Sequence, residues 1–278
     1  MATALLAAVV IVKDEAAMLP ACLESLAGVV DEVHVHDTGS ADGTPELAVE
    51  YGATVTRGGW GDDFAAARNE ARRGCPATWI LALDADHRVM GDAGELRTLL
   101  AATTAEALLT EEENAQQASA HYRLEPRLYR PDTVLWTGRV YERLVHPDGT
   151  APNQAAVPAS ALRLLHIGHA TYADRIRRAE RNLLLAQRSL DEFAAQGPAA
   201  DREQVARTLL GFGRDCLAAD QRPQAVETFQ LLRALFPATP EWRQATDALT
   251  GLMVTACYDK LCQVLADLLR KAGDAGVR

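Results

Sequence analysis

The sequence predicts an α/β domain built on a mainly parallel sheet flanked by helices, followed by an all-helical region. Three observations predict it. Apolar runs of strand length alternate with stretches of helical spacing over the first hundred residues, the signature of strand–helix–strand units. The first run is continuous rather than alternating, as in strands covered on both faces. From Asp174 onward every signal is helical.

Leu5 to Val12 is the first strand, and Ala16 to Leu26 has helical spacing. That apolar run lacks a basic flank and leads directly into Lys13-Asp14-Glu15, so it reads as a strand and not as a secretory leader. Glu32 to His36 is a second, Val-rich strand. Asp42-Gly43 makes a turn, Thr44 caps the next helix, Pro45 takes its first position and Glu46 its first turn. Ala53 to Thr56 is a third strand, residues 57–63 a loop, Phe64 to Arg73 a helix and Trp79 to Leu83 the fourth strand. Leu96 to Leu109 reads as helix, and the acidic run Glu111 to Ala118 as a solvated, mobile segment. Tyr122 to Tyr129, Thr133 to Trp136 and Leu162 to Ile167 resemble strands.

In the helical region Gly197-Pro198 breaks the first helix, and Arg175, Arg177, Arg178, Arg181 and Arg188 read as a solvated face, with binding of a diphosphate or an acidic acceptor as the alternative. Gly213, Ala225, Phe229 and Pro237 recur at the offsets of a tetratricopeptide-type hairpin: small residues let two helices approach, Phe229 fills the gap and Pro237 ends the second helix. The expected domains are 1–172 and 173–278.

A net charge of −10 over 278 residues argues against a nucleic-acid partner, which needs a basic footprint. Five cysteines without Cys-x-x-Cys spacing fit a reduced, cytoplasmic protein, and no stretch is long enough to span a bilayer. The most informative segment is Trp79-Ile80-Leu81-Ala82-Leu83-Asp84-Ala85-Asp86. A buried strand runs into two carboxylates, and strands of a parallel sheet end where ligands bind. Unpaired buried carboxylates are costly, so these acids call for a cation, most simply a hard divalent metal sharing phosphate oxygens.

Three further motifs follow strand ends: Val12-Lys13-Asp14-Glu15, Asp37-Thr38-Gly39-Ser40-Ala41-Asp42-Gly43-Thr44, and Trp60 with Asp63-Phe64-Ala65 and Arg68-Asn69. The set resembles the family 2 glycosyltransferases of GT-A (Rossmann-like) fold over roughly residues 5 to 170, and in particular a subgroup with a tetratricopeptide-like C-terminal region. The resemblance implies a nucleotide-diphosphate-sugar donor, with UDP-sugar expected, and a Mn2+ or Mg2+ cofactor. Asp14, Glu15, Asp37, Asp63, Arg68, Asp84, Ala85 and Asp86 are the candidate donor-binding residues, Asp37 toward the base or ribose and the Asp84–Asp86 pair toward ribose and metal-diphosphate. Asp37 alternatively caps its own turn, and Asp63 the helix that follows it.

The residue after the second Asp is often Glu in that family; here it is His87, which reads as a surface histidine, with an added imidazole ligand as the alternative. The segment 136–144 resembles the family's acceptor side, with Tyr141 where His is usual and Glu142 retained as candidate general base. His166 is a candidate third metal ligand beside Asp86, or else a histidine hydrogen-bonded to a carboxylate that itself ligates. His34 and His36 share one face of a strand; with no carboxylate at matching spacing they read as packing under a helix. The expected activity is an inverting sugar transfer to an unidentified acceptor: a natural product, a peptide or an envelope glycan. Self-association through the helical region is an open option. The alternatives are a nucleotidyltransferase, for which the basic phosphate loop is missing, and a degenerate transferase domain serving as an interaction module.

Overall fold

A computed structural model of the chain describes residues 4–115, 122–168 and 171–275. It divides into two compact units, residues 1–175 and 176–278.

In the first unit the parallel half of the sheet comprises β1 (Leu6–Val12), β2 (Glu32–Asp37), β3 (Thr54–Arg57) and β4 (Trp79–Asp84). They lie in the order β3-β2-β1-β4, joined through α1 (Leu19–Ser25), α2 (Thr44–Glu50) and α3 (Phe64–Ala71). Ala8, Val10 and Val12 pack with Leu19, Cys22 and Leu23 of α1, while Val9 and Ile11 join Ala65 and Ala71 of α3 on the opposite face. Two covered faces explain why the run is unbroken; each fully buried Val or Leu adds roughly 1.5–3 kcal/mol.

Register places the strand-end acids together. Val12 pairs with Asp37 and Ile11 with Asp84, so both carboxylates flank the end of β1.

The sheet continues antiparallel from β4 to β7 (Tyr122–Tyr129) and on to β6 (Ala107–Asn114), which pairs in parallel with β11 (Arg163–His166) and β10 (Gln154–Ala156). β11 closes on β5 (His87–Met90) with His166 opposite His87, and Ile167 N–H donates to the Asp86 carbonyl at 2.9 Å. A late histidine is thereby returned to the second Asp of the strand-end pair. Gly91 ends β5 at φ +135, where a Cβ would lie 2.4 Å from the Ala161 carbonyl oxygen, so only glycine permits this crossing. A ribbon of β8 (Leu135–Thr137) and β9 (Arg143–Val145) packs beside α3.

Three local expectations are corrected. The helix expected over Leu96 to Leu109 is α4 (Ala93–Ala102), which stops at an extended Thr103, and Ala107 to Leu109 enter β6. The β-branched pair Thr103-Thr104 weakens the helix, and the fully buried Ala107 and Leu108 are claimed by the sheet. Glu111 to Asn114, expected to be mobile, are strand; residues 116–118 of that run lie outside the described residues. Thr44 is the first helical residue rather than the cap, a place taken by left-handed Gly43.

In the second unit, helices α6 (Arg202–Ala218) and α7 (Arg222–Leu235) form a hairpin followed by α8 (Pro240–Ala275); α5 (Tyr172–Gln196) starts just before the boundary. A Cβ on Gly213 would lie 2.4 Å from a Phe229 ring carbon, which is the close approach its spacing predicts. Arg175, Arg177, Arg178, Arg181 and Arg188 are exposed. Among the described residues no helix is long and apolar enough to cross a membrane, and Cys22, Cys75, Cys216 and Cys257 are free thiols.

Candidate active site

Two groups of residues gather at the C-terminal ends of the parallel strands. The first interlocks the loops after β1 and β2. Asp14, at φ +54, accepts from Ala41 N–H at 2.7 Å while its own N–H donates to Ser40 Oγ at 2.8 Å. Glu15 N–H donates to Thr44 Oγ1 at 2.9 Å, and Ala16 N–H to Asp42 Oδ2 at 2.9 Å. The buried Asp37 carboxylate accepts from Gly39 N–H at 3.2 Å and Ser40 N–H at 3.1 Å, closing its own turn. These acids shape the rim through backbone contacts.

The second group is a chain of buried charges. Arg68, on α3, donates from Nε to Glu142 at 2.7 Å and from Nη2 to Asp84 at 2.9 Å. Arg127, on β7, lies 3.4 Å from Asp84 and 3.0 Å from Glu112 of β6. Burial opposes ionisation of Asp84, but Arg68 and Arg127 outweigh it and hold its carboxyl far below the usual range. Glu112 behaves alike: burial opposes, and Arg127 and then His87 prevail. Arg127 stays cationic because Glu112 and Asp84 outweigh its desolvation.

Beyond Asp84 the chain reaches the second acid. His166 Nε2 lies 2.9 Å from Asp86 Oδ2, and this contact outweighs burial to lower the Asp86 pKa. Asp86 Oδ1 is buried and unpartnered. Ala85 is buried and its carbonyl accepts from Arg88 Nη1 at 2.9 Å. His87, expected at the surface, is 1% exposed. It lies inside because β5 pairs with β11 there, and its Nδ1 accepts from Asp84 N–H at 3.0 Å. With Nδ1 an acceptor, the neutral ring carries its proton on Nε2, 3.4 Å from Glu112. The donor atoms of Asp86, His87 and His166 lie within 4.8 Å of one another. His87 therefore holds the Asp84 backbone, and Asp86 and His166 are the members of the group that could hold a cation, which would take the place of the proton His166 Nε2 shares with Asp86.

The remaining expected residues hold the loops. Asp63 is the N-cap of α3, its Oδ1 accepting from Ala66 N–H at 2.8 Å. Asn69 exchanges two hydrogen bonds with the Trp136 backbone, at 2.8 and 3.0 Å, tying α3 to the segment that carries Glu142. Tyr141, beside Glu142, has φ +54, an uncommon conformation for a bulky residue. Glu112 and Arg127 belong to this network and escape sequence reasoning; alternation along β6 and β7 is the signal that could have exposed them.

Residues 7–133 match the family model Glycosyl transferase family 2. That segment is a family 2 glycosyltransferase domain. Its mixed sheet with helices on both faces is the GT-A architecture expected of the family. A TPR repeat-containing protein of Synechococcus elongatus is 43% identical over 136 residues, 49% of this chain and 34% of that protein. An uncharacterized glycosyltransferase of Rickettsia felis is 34% identical over 84 residues, 30% of this chain and 29% of that one. The chain thus spans about a third of the length of the curated relatives it matches. The crystal structure of S. aureus TarS 1-349 shares 14% identity at a TM-score of 0.48, covering 84% of this chain and 81% of that one.

The family 2 domain also corrects the reading of its strand histidines. Glu32, two residues before His34 and on the same face, is the carboxylate at matching spacing, and it bonds His34 Nε2 at 3.0 Å. The Cys75 thiol raises His34 to about 9, against partial burial, with Glu32 adding to the rise. His36 is buried, and its Nδ1 bonds Thr56 Oγ1 of the neighbouring strand β3 at 2.9 Å.

Proposed function

We propose that this chain is a metal-dependent, inverting glycosyltransferase that moves a sugar from a nucleotide-diphosphate sugar, UDP-sugar first among them, to an acceptor hydroxyl or other nucleophile. The observation that carries the reading is the buried, unpartnered Asp86 Oδ1 beside His166, at the strand ends of a family 2 domain. An orphaned carboxylate oxygen next to an imidazole fits a divalent cation, and manganese tolerates nitrogen better than magnesium does. Asp86 and His166 would hold it, and when bound it neutralises the charge of the departing diphosphate.

The protein's own residues do the rest. Arg68 and Arg127 hold Asp84 ionised at the rim, where its side chain is 37% exposed and can meet ribose hydroxyls. Asp37 and Asp14 fix the turn that faces the nucleoside. Glu142 is the proposed base. The acceptor oxygen attacks the anomeric carbon, the bond to phosphate breaks with its electron pair leaving on the diphosphate, and Glu142 takes the acceptor's proton. Arg68 fixes the Glu142 carboxylate through a 2.7 Å bond to Oε1, which leaves Oε2 for that proton.

Thermal denaturation with UDP, GDP or dTDP, each with and without Mn2+, tests the proposal. UDP with Mn2+ is expected to raise the melting temperature by several degrees, since a ligand at a hundred times its dissociation constant adds about 2.7 kcal/mol. Asp86→Ala is expected to abolish the metal-dependent part. No shift with any nucleotide would refute the reading.

A further inference from the structure

A second cluster of metal-binding side chains lies away from the strand-end rim. Glu32 and His34 project from one face of β2, near its start, and Cys75 closes the turn that follows α3. Their donor atoms, one carboxylate oxygen, one imidazole nitrogen and one thiol sulfur, lie within 4.8 Å of one another. Asp37 stands three residues beyond His34 and five beyond Glu32, so the cluster is about 10–16 Å from the rim at the rise of an extended chain.

We propose that Glu32, His34 and Cys75 form a binding site for a zinc-like transition metal, independent of the cation expected at Asp86. The donor set decides the class. Thiolate and imidazole select zinc or cobalt, whereas magnesium, calcium and manganese prefer oxygen. The geometry is near what tetrahedral zinc requires, with bonds of about 2.3 Å to sulfur and 2.0–2.2 Å to nitrogen and oxygen. Closing the present spacing needs about 1 Å of side-chain movement on that geometry. The Glu32 carboxylate is free to supply it, being 40% exposed, while His34 is held at 12%. The framework is rigid, because β2 pairs on both sides and Cys75 N–H donates to the Arg72 carbonyl at 3.1 Å. Three protein donors leave a fourth position to water. The bound ion ties the start of β2 to the end of α3.

Cobalt titration of the EDTA-treated, desalted chain tests this. One equivalent of Co2+ is expected to give a thiolate-to-cobalt charge-transfer band, removed by one equivalent of Zn2+. Cys75→Ser is expected to lose the band, and Glu32→Gln, at an exposed position, to weaken binding by at least the ~10-fold that losing even an outer partner costs. Cys257→Ser and Asp86→Ala are expected to keep the band, which separates this site from the exposed thiol and from the donor site. No band in the wild type, a band surviving in Cys75→Ser, or unchanged affinity in Glu32→Gln would each overturn the proposal.

Discussion

Arg68 is the most consequential single residue of the network. It is 6% exposed, bonds Glu142 at 2.7 Å and Asp84 at 2.9 Å, and lies 5.4 Å from the centre of the Trp136 ring. Arg68→Met keeps most of the stem and removes the charge. Breaking a buried ion pair costs about 3–5 kcal/mol because a charge is left uncompensated. The full range does not apply to both partners. Asp84 is 37% exposed and retains Arg127 at 3.4 Å, so its share is closer to the ~0–1 kcal/mol of a screened pair. Glu142, 15% exposed, bears most of the loss. The expected total is about 3 kcal/mol at pH 7. The assay is urea unfolding followed by tryptophan fluorescence in a Trp242→Phe background, since Trp60, Trp79 and Trp136 lie in the first unit. The pH dependence has a definite sign. Asp84 has a depressed folded pKa, so its contribution is complete above the unfolded value of about 3.9 and is lost as pH falls through the folded one. Both proteins share one unfolded state, so the Asp84 part of the deficit is complete at neutrality and narrows only as pH falls through the variant's own folded Asp84 pKa, which Arg127 still holds low. A loss under ~1 kcal/mol would refute the account of Arg68 as a buried counter-ion.

Gly213→Ala forces a Cβ to within 2.4 Å of Phe229, so despite the gain in helix propensity it should cost about 1–3 kcal/mol, read from Trp242 in the second unit. Glu142→Gln should lower turnover about 100-fold while the nucleotide-induced melting shift stays near wild type; equal loss of both would mean that it only holds the loop. Asp37→Asn retains one carbonyl acceptor for its turn and should lose about 1 kcal/mol. If Asp37 also reads the base, that variant loses its preference for UDP over GDP; unchanged preference restricts Asp37 to its turn.

The parallel half of the sheet was legible because its evidence is local. Leu6 to Val12 is apolar on both faces because both faces are covered, and each following turn carries its own Asp, Gly or Pro signal. The strand-end acids could be placed on one rim for the same reason. Glu112 and His87 were misread because their environments come from remote pairings. Within Glu111-Glu112-Glu113 local polarity says solvent, and only β7, bringing Arg127 to 3.0 Å, makes Glu112 an interior residue. His87 is buried by β11, some eighty residues later in the chain. The Glu32–His34–Cys75 cluster is split the same way: its strand pair is visible at spacing two, while Cys75 arrives through the packing of α3.

The two acids of the Asp84–Asp86 pair are therefore not equivalent, and their difference can be measured without any substrate. Three carboxylates, Asp84, Glu112 and Glu142, share two guanidiniums, and both guanidiniums serve Asp84 while neither is bonded to Asp86. Among the described residues the Asp86 side chain bonds His166, and its Oδ1 is buried without a hydrogen-bond partner. Neutralising each acid in turn should then separate stability from function. Asp84→Asn breaks contacts to two arginines and is expected to destabilise the metal-free protein by about 1–2 kcal/mol, discounted for the exposure of that side chain. Asp86→Asn gives up the His166 contact that lowers the Asp86 pKa and is expected to destabilise the metal-free protein by less than about 1 kcal/mol, a smaller loss than at Asp84. The same change should abolish the Mn2+-dependent part of the nucleotide response. A residue whose charge adds little to the empty fold and is required when a cation is supplied is held for that cation. If Asp86→Asn instead destabilises the metal-free protein as much as Asp84→Asn, Asp86 is a structural partner of His166 and the cation must be sought elsewhere.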